Sequence, residues 1–144
     1  MVSGQERTSF VLKETFQEWA DECAHFGIVN IWRPIGDPVE RSPLGLLDPA
    51  TVSAEDWVRI SYTYPEEGKE DEYQHKEHPA LVYNKEHRWL VVDRMEQDMV
   101  WIFTQYDSHG LPPVLHSAVE VIGTSKDAKP RRSVETRMLV KYKE

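Results

Sequence analysis

The chain has 144 residues, a formal net charge of −8, and 40% hydrophobic and 29% charged residues, which is one ordinary globular domain and not two. Without a basic stretch, nucleic acid is not expected as a partner; the longest apolar runs fall far below the roughly 18–20 residues that cross a bilayer. MVSGQERTSF has no apolar signal region, and a lone cysteine, Cys23, rules out an internal disulfide or cysteine zinc site, so a cytoplasmic setting is expected.

Leu12, Phe16, Trp19, Ala20 and Cys23 recur at helical spacing, which predicts one N-terminal α-helix over 9–26. Thr8 or Ser9 can cap its start, and Gly27 can end it. From residue 28 the texture becomes β-branched and aromatic, cut by Pro, Gly, Asp and Asn turns. Strands are expected at 28–32, 57–64, 79–84, 88–93, 99–106, 114–122 and 132–142. In WVRISYTY the alternation is clean, with Val58, Ile60, Tyr62 and Tyr64 on one side. The charged stretch 66–78 reads as a solvated hairpin or loop, and 124–130 as another loop. The whole is mainly β, a single domain with a barrel or sandwich over 28–142.

The stretch PRRSVETRMLV, read with period two, places Arg131, Ser133, Glu135 and Arg137 on one face and Val134, Met138 and Val140 on the other. On an exposed edge this is a solvated face with ion pairs of small worth. Lining a barrel, it is an anion-accepting surface. Trp32, Trp57, Trp89 and Trp101 each fall within a strand; most suit a core, and one or two suit a pocket wall.

Five separated blocks carry a resemblance: IVNIWRP, RSPLGLL, HRWLVV, LHSAVE and RRSVETR, spread over 28–140. They resemble the hydroxylase/desaturase family that includes aspergillic acid hydroxylase and gibberellin desaturase. That resemblance implies a double-stranded β-helix (cupin or jelly-roll-like) fold and a role in secondary metabolism. It also implies that His116 matches the distal metal histidine, and Arg131 and Ser133 the 2-oxoglutarate anchor. His87, Arg88 and Trp89 fall on a further block, with Leu90 and Val91 where the family has two tyrosines, and Asp107 and Ser108 on another. The family's His-x-Asp metal pair has no counterpart upstream of residue 28, where the sole histidine is His25.

Ferrous iron in such sites needs two imidazoles and one carboxylate on one face. Two formal substitutes exist, His75 with Glu77, and His87 with Asp107 beside His116. The leading expectation is therefore a barrel with no metal and no cofactor, acting on a biosynthetic intermediate as a cyclase, isomerase or dehydratase. His116, His87 and Asp107 would move protons; Arg131, Ser133, Arg137, Trp89, Trp101 and Tyr62 would bind substrate. The alternatives are a non-catalytic subunit, in a homodimer or with a pathway enzyme, and an iron(II)/2-oxoglutarate oxygenase built on one of the substitutes.

Overall fold

The computed structural model describes residues 23–65 and 73–143. Eight strands follow in chain order: β1 (Phe26–Pro34), β2 (Leu44–Leu47), β3 (Trp57–Pro65), β4 (Tyr73–Leu81), β5 (Trp89–Leu90), β6 (Trp101–Asp107), β7 (His116–Ala118) and β8 (Ser133–Lys141). They form two three-stranded sheets, β6-β1-β8 and β5-β2-β7, and one two-stranded ribbon, β3-β4; every pairing between these strands is antiparallel. The fold is mainly β, as expected.

β1 organises the first sheet because its alternate residues, Phe26, Ile28, Asn30, Trp32 and Pro34, are all buried. Those same positions pair with Lys141, Leu139, Arg137, Glu135 and Ser133 of β8. Paired residues share a face, so the polar row of β8 lies on the inward side with Trp32. Leu44 and Leu46 of β2 close the opposite wall, and together with Trp32, Val39, Met95 and Phe103 they make the core cluster. Burying each of these large side chains contributes about 1.5–3 kcal/mol. The core thus fixes the distance between the sheet that carries β8 and the sheet that carries β7.

Several sequence expectations need correction. Residues 9–22 of the expected helix lie outside the described residues, whereas 23–25 are not helical and Phe26 already opens β1. Among the described residues the only helical turns are two 3-10 segments, Pro49–Thr51 and Ala54–Asp56. β2 was not expected: four residues between prolines carry too little alternation to read as a strand. β4 begins at Tyr73, inside the stretch read as a hairpin or loop, and pairs antiparallel with β3, in keeping with the hairpin alternative. β5 and β7 are much shorter than their apolar runs. Trp57 and Trp89 are exposed and do not belong to the core.

Candidate functional site

The site forms where the inward row of β8 faces β7. Asn30, fully buried at 0% exposure, is its hub. Its amide donates to Glu135 Oε1 (2.7 Å) and Gln105 Oε1 (3.4 Å), and its Oδ1 accepts from Arg137 Nε (3.0 Å). A buried amide must find such partners or cost about 1–3 kcal/mol. Three strands meet in this one network: β1, β6 and β8.

His116 comes from the other sheet, paired with Leu46 and set against the Phe103 ring at 4.7 Å. The Val114 carbonyl lies 3.3 Å from Nδ1, so that nitrogen donates, and in the neutral ring the lone pair is on Nε2. Nε2 is 4.0 Å from Glu135 Oε1, and the two side chains are 18% and 33% exposed. Arg137 approaches the same oxygen at 3.9 Å.

Arg131 precedes β8 and donates to the Ser42 carbonyl, while its guanidinium carbon sits 5.3 Å above the Trp32 ring. Ser42 itself is left-handed, φ 53°, which is uncommon for a residue with a side chain. Burial lowers the Arg131 pKa, and the Glu135 charge offsets part of that. Its remaining N–H donors and the Ser133 hydroxyl have no hydrogen-bond partner among the described residues. Two guanidinium groups against one carboxylate leave the inward face of this strand able to take an anion.

The other expected site residues lie elsewhere. His87 Nε2 is bonded to Asp56 (3.1 Å) at the base of the β3-β4 ribbon, where Asn84 also holds Asp56 (2.8 Å). Asp107 accepts from His25 Nε2 (2.8 Å) and from the His109 backbone (2.8 Å) at the end of β6. Neither joins His116. The second substitute fails as well: His75 meets Thr63 (3.1 Å) and Glu77 meets Arg59 (3.2 Å) on the exposed ribbon. Tyr62 is on that ribbon and not in the opening. Trp89 packs on the opposite face of its sheet, over Gly45. Trp101 flanks the core from β6, and its buried indole N–H has no partner.

Asn30 and Gln105 were missed. The signal for Asn30 was present: in IVNIW a polar residue occupies the inward phase shared by Ile28 and Trp32.

Residues 2–141 match a family model described as an oxidoreductase/YMDC permease-like domain. The chain belongs to this oxidoreductase family. It is 30% identical over 124 residues to the Fe(II)/2-oxoglutarate-dependent dioxygenase nvfI of Aspergillus novofumigatus, covering 81% of this chain and 41% of that protein. It is 34% identical over 119 residues to the alpha-ketoglutarate-dependent dioxygenase phiK of a fungal species, covering 80% and 41%. In structure it is similar to the iron and alpha-ketoglutarate-dependent endoperoxidase NvfI, with a TM-score of 0.75 at 25% identity over 96% of this chain and 48% of the other. The W199F variant of that endoperoxidase gives 0.70 at 27% identity, over 94% and 49%. The chain spans a little under half the length of the proteins it matches. The β fold is therefore that of iron/2-oxoglutarate oxygenases of fungal secondary metabolism.

The residues present fit one of that family's two groups. Arg131 and Ser133 suit a carboxylate. For iron, no group of three His, Cys, Asp or Glu side chains among the described residues could hold a metal. Helices long and apolar enough to cross a membrane are also absent among them.

Proposed function

We propose that the chain carries the co-substrate half of an iron(II)/2-oxoglutarate oxygenase site serving secondary metabolism. The two three-stranded sheets are then part of a double-stranded β-helix. Arg131 and Ser133 grip a carboxylate of 2-oxoglutarate, and His116 presents Nε2 as one metal ligand. At least one further imidazole would have to be supplied from outside these 144 residues, because all six histidines lie among the described ones. One observation carries this reading: Ser133, on the inward row of β8, and Arg131, just before that strand, have unspent donors, and Glu135 of the same row is the neighbour of His116 Nε2.

When bound, the iron supplies oxidation of a substrate coupled to decarboxylation of 2-oxoglutarate. The chain's own part is to orient the acid by a bidentate guanidinium contact, and to shield it with Trp32 and Phe103. Asn30 holds Glu135 by a hydrogen bond and the Arg137 charge offsets its own, which reduces its repulsion of the incoming anion. The relatives favour this reading over the cofactor-independent cyclase, isomerase or dehydratase expected from the sequence.

Succinate released from 2-oxoglutarate with added Fe(II) tests it. With the segment that completes the iron site present, the protein should release succinate, and His116→Ala should not. Equal release from both proteins would contradict the assignment. Wild-type protein that binds 2-oxoglutarate but releases nothing would leave a binding subunit, the accessory role considered from the sequence.

A further inference from the structure

The outer face of the β5-β2-β7 sheet carries a second concavity, unrelated to the polar opening. Alternation along β2 sends Leu44 and Leu46 to the core and Gly45 outward. His116 pairs with Leu46, so it faces inward, whereas Trp89 and Val119 cover Gly45 from outside. A Cβ at position 45 would come within 2.8 Å of Val119 Cγ1 and 3.2 Å of Trp89 Cε3. Glycine there lets both side chains lie directly on the strand backbone.

Around them is a cleft of about 680 Å³, within the size range of small-molecule sites. Its apolar wall comes from Val39, Trp89, Val91, Val119, Val121 and Ile122. A smaller hollow of about 290 Å³ adjoins it and shares Asp93, Arg94, Val121 and Ile122. Apolar walls of this extent, open to water, mark a binding surface more often than plain solvated surface.

The charged rim selects the occupant. Glu40, Asp93, Arg94 and Glu120 line the cleft, three carboxylates against one guanidinium. Arg94 is already spent on Glu40 at 2.8 Å. It is held at φ 46°, a left-handed conformation that a residue with a side chain adopts only at a cost. The Val39 N–H to Met95 carbonyl bond (3.0 Å) pins the turn next to it. With that pair fixed, Asp93 and Glu120 remain as negative charge beside an apolar wall that includes an indole, which itself attracts cations.

We propose that this cleft binds an apolar molecule bearing a protonated amine, its body on Trp89 and Val119 and its ammonium against Asp93 and Glu120. It is a different site from the lumenal one and prefers the opposite charge.

Three probes with one apolar body separate the possibilities: 4-phenylbutylamine, 4-phenylbutanol and 4-phenylbutyrate, titrated against the full chain by tryptophan fluorescence. The titrations are repeated on Arg131→Ala, which removes the lumenal anchor for the acid. In that background the amine should bind saturably and at least tenfold more tightly than the acid, with the alcohol between them. Asp93→Asn/Glu120→Gln, both exposed positions, should keep the fold, erase the preference for the amine and leave the alcohol unchanged. Trp89→Phe should remove the fluorescence response to the amine. The proposal is overturned if acid and amine bind alike, if the double variant still prefers the amine, or if no probe saturates.

Discussion

Two histidine–carboxylate pairs look alike on paper and differ in state. His87 and Asp56 are sealed, with side chains 7% and 6% exposed. Asn84 and the Ser53 backbone also donate to Asp56, and with His87 they hold its carboxyl well below the usual carboxylate range against the opposing effect of burial. His116 and Glu135 are looser, 4.0 Å apart and partly open, and Nε2 of His116 has no hydrogen bond among the described residues. A pair whose capacity is fully used holds structure together. A pair with capacity left over, facing an opening lined by free donors, is built to receive something.

The sealed pair should give the largest stability effect. His87→Ala strips Asp56 of a buried partner and should lower Tm by on the order of 10 °C. The affinity for 2-oxoglutarate of the protein still folded should not move. A calorimetric scan and a titration check both; unchanged Tm with lost affinity would reverse the two assignments.

Asn30→Ala comes next. It leaves Glu135 and Arg137 without their buried partner and should cost about 1–3 kcal/mol in urea unfolding. Unlike His87→Ala, it should also weaken 2-oxoglutarate binding, since the row beside Arg131 loses its anchor.

A third histidine–carboxylate pair gives a pH signature. Burial pushes the Asp107 carboxyl up, but the hydrogen bond from His25, the backbone N–H groups of His109 and Leu111, and the His25 charge together leave it lowered. A carboxyl lowered in the folded state stabilises fully above its unfolded pKa of about 3.9 and loses that contribution as pH falls below it. Asp107→Asn should therefore flatten the acid limb of the stability curve below about pH 4, with little change in that limb's shape above it. An unaltered limb would show that Asp107 is not the group responsible.

The smallest stability effect belongs to His116→Ala, within about 1 kcal/mol, because its side chain is partly open and its one hydrogen bond is long. A drop as large as that of His87→Ala would mean that His116 is structural.

Much of this was readable from the residues, for physical reasons that differ by element. β1, β3, β6 and β8 announce themselves by β-branched and aromatic composition. Of the period-two row, Ser133, Glu135 and Arg137 keep one face in the structure because β8 pairs along its whole length with the buried strand β1, while Arg131 lies just before the strand. Convergence of His87 or Asp107 on His116 could not be read that way, since period and composition do not say which loop meets which. His87 is drawn to Asp56 across the ribbon base, and Asp107 to His25, by contacts 31 and 82 residues apart in sequence. β2 was hidden for a similar reason. Its four residues are strand only because β5 and β7 flank them.

The most direct measurement is calorimetric titration of 2-oxoglutarate into wild-type protein and into Arg131→Ala. Saturable binding that weakens at least tenfold in Arg131→Ala, and by less in Ser133→Ala, with both variants still folded, is the predicted result. Equal affinity for wild type and Arg131→Ala would mean that β8 does not hold the acid, and the oxygenase reading of the opening would fall.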